Sequence, residues 1–378
     1  MATLHWTENH TPRSARWHSE NATPAPRRVV VADDHLNAAT AHRLACEGTA
    51  LLWRGDFPQA RQLLHAVGRR VDRKPPRRGE GPADSFHLNR RARGHRSRVL
   101  GRFLVLLDGE YGLDLRRAPD VRQACVEAYG PPTGPMAVSL TELLGVVGAH
   151  EWRRKGVEVP ALGARVHPHH GVFSPVRGEY VDLVAHAPLP TPTDPQLPCR
   201  QTAFDLGTGT GVLAAVLARR GFAHVVATDI SPRALACARA NVSRLGLAGR
   251  VDVVGPALFP DGRADLVVCN PPWIPARPTS AVEQGVYDPG GAMLHDFLDG
   301  LGAHLAPGGE GWLVLSDLAE HLQLRTRAEL LATIETAGLR VVDRIGTRPG
   351  HPRARDTADP LHAARAAEVT SLWRLVRA

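Results

Sequence analysis

Between residues 202 and 376, short oily runs alternate with stretches of helical spacing. The runs are TAFDL (202–206), HVVATD (224–229), RVDVVG (250–255), ADLVVCN (264–270), GWLVLSD (311–317), RVVDRI (340–345) and EVTSLWRLV (368–376). Amphipathic stretches fall between them at about 211–220, 231–245, 291–306 and 326–338. Strands apolar on both faces and separated by helices predict a parallel sheet covered on both sides. The first five runs fit right-handed βαβ units. The last two have no comparably clear helix between them and are expected to pair antiparallel at the sheet edge.

Upstream the pattern is different. Residues 1–33 are polar, with Pro12, Pro24 and Pro26, and read as a flexible tail. Residues 35–53 and 58–71 place Leu36, Ala39, Leu44, Leu51 and Leu52, then Ala60, Leu63, Leu64 and Val67, at helical spacing, with RGDF as the turn between. The pair resembles one unit of a tetratricopeptide-type repeat. No further copies follow, and such stacks need about three, so a plain helical hairpin is expected. Residues 72–98 are rich in Arg, Pro and Gly and read as partly disordered. The apolar stretch after them suits a buried helix or strand, and 138–152 is helical in pattern. These features predict a mainly helical N-terminal domain over 34–155 and an α/β domain over 160–378.

A chain of 378 residues agrees with two domains. It has no run of 18 apolar residues and its first twenty residues lack a signal-peptide core, so a cytoplasmic location is expected. The five cysteines (46, 125, 199, 237 and 269) form no CxxC pair and read as scattered reduced thiols. Cys269 stands beside Asn270 but has no base near it in sequence. Charge is concentrated: from Arg69 to Arg102 twelve Arg or Lys face three acids, a local +9 in a chain of net +8. Such a segment suits phosphates. Only Lys74 and Lys155 are lysines, so a compositional arginine bias with a solvated face is the competing reading.

The chemistry begins at AFDLGTGTG (203–211), which ends the first strand of the α/β region. In such sheets ligands sit beyond the carboxyl ends of the strands. Gly207 permits a sharp turn, Gly209 a close backbone approach to a ligand, and Gly211 close packing of the next helix. Thr208 lies within this loop. The spacing is GxGxG; the dinucleotide fingerprint GxGxxG would need a glycine at Val212. Asp205 precedes the turn, placed to meet a cationic amino group or to hold the loop. Asp229 ends the second strand, where an acid accepts hydrogen bonds from ribose hydroxyls. Ser231, Pro232 and Gly246 bracket the helix that follows as cap, first-turn residue and stop.

NPPW (270–273) follows the fourth strand. Two prolines fix φ and donate nothing, making a rigid exposed turn. Asn270 offers a side-chain carbonyl and Pro271 a backbone one, two acceptors suited to an –NH2 group. Trp273 offers a flat face for a planar amide or base. Amide and exocyclic amino nitrogens are poor nucleophiles because their lone pair is delocalised. Two acceptors gripping the N–H bonds can rotate the nitrogen and free that pair. Alignment with an electrophilic methyl is worth about 7–11 kcal/mol, with no metal and no strong base required.

Over about residues 165–378 these motifs resemble the class I S-adenosylmethionine-dependent methyltransferases, and among them the HemK/PrmC-type group. That group shares its NPP[YFW] signature with N6-adenine and N2-guanine RNA methyltransferases. FDLGTGTG is similar to the cofactor loop, ATD to the ribose acid and NPPW to the amino-group clamp. GVFSPVRGEY (171–180) is similar to the segment that closes over the active site, and the stretch from YDPGG to WLVLSD also resembles the group. The resemblance implies an α/β fold, a Rossmann-like seven-stranded sheet whose last strand is antiparallel. It implies S-adenosyl-L-methionine as cofactor, lined by Asp205, Gly207, Thr208, Gly209, Gly211, Asp229 and Asn270. Asn270 and Pro271 would hold the target nitrogen and Trp273 would stack on it. Where the group often has an acid near the adenine ring, this chain has Pro256 and Ala257, leaving backbone and apolar contacts for that ring. The helical region upstream matches no short helical domain of the glutamine methylases.

The reading is an N-methyltransferase acting on a planar –NH2, in RNA or in a protein glutamine, the partner being RNA or a translation-related protein. A small-molecule acceptor and a non-catalytic RNA- or partner-binding protein are the alternatives. RVHPHHG brings His167, His169 and His170 together without a nearby Cys or carboxylate, so no metal is expected. The polar loop 346–368, with Asp356 and Asp359, reads as solvated, with substrate contact the alternative.

Overall fold

The computed structural model describes residues 2–73, 77, 79–190, 201–279, 282–350, 356–357 and 359–378. Cys199 and Lys74 lie outside the described residues. The chain divides into two compact units, one of residues 1–80 and 84–151, the other of 81–83 and 152–378.

The first unit contains β1 (Thr3–Glu8), β2 (Thr11–Trp17), β3 (Arg28–Ala32), α1 (Ala38–Cys46), β4 (Thr49–Trp53), α2 (Phe57–Asp72), α3 (Pro82–Leu100), β5 (Phe103–Leu107), α4 (Arg122–Tyr129), β6 (Met136–Ser139) and α5 (Leu140–Lys155). The strands form a six-stranded sheet in the order β1-β2-β6-β5-β4-β3, with β3, β4 and β5 mutually parallel. This overturns the flexible tail over 1–33; over 34–155 helices do hold most of the residues, but they pack with a sheet to which this stretch contributes β4, β5 and β6. In β1, Leu4 and Trp6 are buried while Thr3, His5 and Thr7 face solvent. That period-2 pattern is hidden among polar residues because only one side meets the core. The hairpin expected from 35–71 is a helix, a strand and a helix. TALLW is buried at all five positions as β4, and a short apolar run does not distinguish strand from helix by period. The stop lay in Gly48, left-handed at φ +84 just past α1. Part of the stretch expected to be disordered is α3.

The second unit contains β7 (Val157–Val159), β8 (Ala164–Val166), α6 (Glu179–His186), β9 (Thr202–Leu206), α7 (Val212–Arg219), β10 (His224–Thr228), α8 (Pro232–Arg244), β11 (Val251–Val254), β12 (Ala264–Cys269), α9 (Ala292–His304), β13 (Leu305–Ser316), α10 (Leu318–His321), α11 (Arg327–Thr336), β14 (Leu339–Thr347), α12 (His362–Ala367) and β15 (Thr370–Arg377). Its main sheet has seven strands in the order β11-β10-β9-β12-β13-β15-β14. The first five are parallel; β15 runs antiparallel to both β13 and β14. The expected terminal pair is present, with β15 slotted inside and β14 at the edge.

The strand faces alternate as the apolar runs predict. Ala203, Val268, Trp312 and Val314 pack with Tyr180 and Val184 of α6 and Leu213 and Leu217 of α7. Phe204, Leu206, Val267 and Leu313 pack with Phe297 and Leu301 of α9 and Leu330 and Ile334 of α11. The helix starts are set locally. Ser231 Oγ accepts from Ala234 N before Pro232, and Thr326 with Glu329 makes a reciprocal capping box.

Candidate active site

Two adjacent strands bring the candidate residues together. β9 and β12 are parallel and in register, with Leu206 beside Cys269. The next residue on each strand is Gly207 and Asn270, so the glycine loop and the NPPW turn leave the sheet side by side. β10, on the other flank of β9, ends at Thr228 opposite Leu206 and delivers Asp229 to the same edge. This is the carboxyl end of the parallel strands, where strand order reverses between β9 and β12.

The glycine loop is held by its two aspartates. Asp205, fully buried, accepts from Thr208 Oγ1 at 2.6 Å and from Ala214 N at 2.9 Å, both on Oδ2. It thereby ties the strand end, the loop and the first turn of α7 together, favouring the loop-holding role of the two foreseen for it. Burial pushes its carboxyl up to about 6, against the pull of those hydrogen bonds. Asp229 Oδ2 accepts from Gly209 N at 3.0 Å and Oδ1 from Ser231 N at 2.8 Å. Burial raises its carboxyl too. Each carboxylate oxygen has a second lone pair, so these bonds orient Asp229 without saturating it.

The three glycines are all left-handed, at φ +69, +55 and +80 for Gly207, Gly209 and Gly211. A Cβ on Gly207 would lie 2.5 Å from Met293 Cε, and one on Gly211 would meet Ala238 Cα at 3.2 Å. A Cβ on Gly209 would meet nothing closer than the Gly207 carbonyl at 4.0 Å. Gly211 therefore serves the packing of α7 on α8, whereas Gly209 borders open space. That cleared cradle, flanked by Asp229, fits a ligand carrying a ribose.

On the neighbouring turn Trp273 Nε1 donates to Asn270 Oδ1 at 2.9 Å. Pro271 is buried, and Asn270, Pro272 and Trp273 are half-buried. One ring face of Trp273, foreseen as a platform for the acceptor, carries the Arg177 guanidinium 5.3 Å from its centroid. Arg177 is itself fixed by Glu179 at 2.7 Å and Glu368 at 3.0 Å. Glu368 also accepts from Ser316 Oγ, at the end of β13. The segment 171–180 is thus stapled across the ends of β12, β13 and β15. Asp288 caps α9 through Met293 N at 2.9 Å, placing Met293 over Gly207.

Two contributors were not singled out in the sequence. Arg177 lies within a recognised segment, but its partner Glu368 is 191 residues away and no spacing connects them. Ile230, next to Asp229, is 73% exposed, and an oily residue immediately after a strand-end acid was the available signal. Ala257 N donates to the Asp229 carbonyl at 3.3 Å, so the Pro256–Ala257 stretch is laced to the tip of β10 beside Ile230.

Other candidates resolve differently. Cys269 is buried and its thiol is pushed far up by burial, which leaves no nucleophile there. Cys46, Cys125 and Cys237 are likewise free thiols. His167 donates its backbone N–H to Asn241 Oδ1, and its Nδ1 contacts the Arg153 carbonyl. His169 N–H reaches Cys237 Sγ. Among the described residues no group of three or more His, Cys, Asp or Glu is placed to hold a metal. Asp359 caps its own turn and pairs with Arg365 at 2.9 Å. No helix among the described residues is long and apolar enough to cross a membrane.

Residues 163–337 match the family of the methyltransferase small domain. A release factor glutamine methyltransferase of Cereibacter sphaeroides is 42% identical over 123 residues, covering 29% of this chain and 44% of that protein. A ribosomal protein L11 methyltransferase of Pelotomaculum thermopropionicum is 52% identical over 71 residues, 18% of this chain and 23% of that protein. The chain spans less than half the length of the curated relatives it matches here. Among solved structures, a ribosomal protein L11 methylase of Lactobacillus delbrueckii subsp. bulgaricus aligns with 53% of this chain and 78% of its own, at 19% identity and a TM-score of 0.35. The strand order, with its single antiparallel strand β15, is the firmer mark of the fold. Over residues 163–337 the chain is similar to the methyltransferase small domain family, and its second unit carries a seven-stranded Rossmann-like sheet.

Proposed function

We propose that this protein is an S-adenosylmethionine-dependent N-methyltransferase that methylates a planar –NH2 nitrogen. One observation carries the reading: the Leu206–Cys269 register sets the glycine loop and the Asn270 turn next to each other at one sheet edge. Asp229, Ile230, Gly209 and the Pro256–Ala257 stretch would hold the ribose and adenine of the cofactor. When bound, that cofactor supplies an electrophilic methyl on sulfur.

The chain's own residues act on the nitrogen. Asn270 Oδ1, with one lone pair committed to Trp273, takes one N–H on the other. The Pro271 carbonyl takes the second N–H. The two acceptors turn the nitrogen so that its lone pair leaves conjugation and points at the methyl. So aimed by Asn270 and Pro271, the nitrogen would take the methyl that the bound cofactor supplies, with the sulfur as leaving group, and would shed one proton to water. Alignment does the work, worth about 7–11 kcal/mol when near-ideal, without a strong general base. Arg177 covers one face of Trp273 and so fixes the ring beside Asn270.

The relatives' names point to a side-chain nitrogen of a translation protein as the acceptor. An amino group of an RNA base is the second reading, favoured by the arginine-rich face of the first unit. Incubation with tritiated cofactor and cell extract, followed by RNase or protease, tests both. Label lost to protease supports the protein acceptor and label lost to RNase the RNA one. Cofactor binding without transfer to either would refute the enzymatic reading.

A further inference from the structure

The first unit carries a feature that methyl transfer does not use. α2 buries Phe57, Ala60, Leu63, Leu64 and Val67 and exposes Arg61, His65, Arg69 and Arg73 at successive four-residue steps. That stripe rises about 18 Å at 1.5 Å per residue. α3 packs beside it: a Cβ on Gly68 would lie 3.0 Å from Arg96 Nη2, and Arg96 pairs with Asp72 at 3.0 Å. α3 buries residues only near its ends, Phe86, Asn89, Val99 and Leu100. Its middle exposes Arg91, Arg93, His95 and Arg98. Besides Asp72, the acids of residues 57–102 are Glu80 and Asp84, at the start of α3. No ion pair engages Arg61, Arg69, Arg73, Arg91, Arg93 or Arg98 among the described residues.

We propose that this α2–α3 face docks the phosphate backbone of structured RNA. The chemistry of the face selects among polyanions. Protein interfaces need buried apolar or aromatic anchors, and membrane-surface helices need apolar side chains to insert. Among the described residues the large exposed hydrophobics include none on α2 or α3. Single-strand binders stack bases mainly on large aromatics, and no Phe, Tyr or Trp is exposed on α2 or α3. What remains is a two-helix array of planar, permanently charged forks, suited to regularly spaced phosphates and indifferent to base sequence. Duplex RNA is read mainly through shape and backbone. The proposal does not depend on the methyl-transfer reading, because none of these arginines is a residue of the candidate active site.

The test is fluorescence anisotropy of the full chain with a labelled RNA duplex of about 16 base pairs and arbitrary sequence, titrated with salt. Binding is expected at roughly 1–100 µM near physiological salt. The variant Arg69→Ala/Arg73→Ala/Arg91→Ala/Arg98→Ala should flatten the slope of log K against log salt by about one per arginine removed. The control Arg27→Ala/Arg244→Ala/Arg250→Ala/Arg340→Ala, which removes four exposed arginines elsewhere, should keep the wild-type slope. No binding, equal flattening in the control, or tighter binding to duplex DNA, phosphatidylserine vesicles or polyglutamate would each overturn the proposal. Calorimetric titration of the quadruple variant with S-adenosylmethionine reads the other site separately and should match the wild type.

Discussion

The indole N–H of Trp273 donates to the side-chain carbonyl of Asn270 at 2.9 Å. The aromatic residue of the NPPW turn therefore orients the amide that, in the proposed function, grips the nitrogen. Trp273→Phe keeps a ring under Arg177 but deletes this donor. An unmade hydrogen bond of this kind is worth about 1–3 kcal/mol, so kcat should fall roughly 5- to 150-fold while cofactor affinity stays within about twofold. Unchanged kcat in Trp273→Phe would show that the indole N–H has no part in turnover.

In the proposed function Asn270 and Asp229 divide the work of the site. Asn270→Ala should leave cofactor affinity roughly intact and abolish measurable turnover. Asp229→Ala removes the acceptor of Gly209 N as well as a ribose partner, and should weaken cofactor binding at least tenfold, about 1.4 kcal/mol. Calorimetry and single-turnover rates on both variants separate the roles; equal loss of binding in both would contradict the division.

Gly209 and Gly211 should fail in different ways. Both are left-handed, so alanine strains either backbone by about 1 kcal/mol. At Gly211 the new methyl also meets Ala238 Cα at 3.2 Å, adding a packing cost of about 1–3 kcal/mol. Gly211→Ala should lower the thermal midpoint clearly more than Gly209→Ala. Gly209→Ala, whose methyl enters the open cradle, should lose more cofactor affinity. Thermal melts and calorimetry on the pair check the ordering.

Asp205 makes stability depend on pH. Its folded-state carboxyl titrates at about 6 because of burial, above an ordinary value of about 4. The folded protein holds this proton more tightly than the unfolded chain, so stability falls as pH rises from about 4 to about 6 and is level above. A two-unit shift corresponds to about 3 kcal/mol. Asp205→Asn cannot ionise, so its stability relative to wild type should improve across that window. Urea melts of both proteins at several pH values test this; a constant difference would show that the Asp205 carboxyl is not raised in the folded state.

How much of this was legible in the sequence followed from burial. The strands of the second unit are covered on both faces, so ADLVVC and TAFDL read as continuous oily runs, and Ser231 marked its helix start openly. β1 is covered on one face and writes its pattern in alternating Leu4 and Trp6 among polar residues, which composition masks. TALLW was ambiguous because five buried positions carry no period. At the site, the glycines, the two aspartates and NPPW are local motifs and could be read in place. The Arg177–Glu368 pair and the cover of Met293 over Gly207 arise only when distant segments meet.

The position of β15 has a consequence for how the protein is made. A strand near the end of the chain lies inside the sheet, between β13 and β14, rather than on its rim. While residues 370–377 are still within the ribosome, two facing edges of the nascent sheet stand open, each a template for stray pairing. Until residues 370–377 have emerged that gap cannot be sealed, and a chain cut before Thr370 would leave the slot vacant.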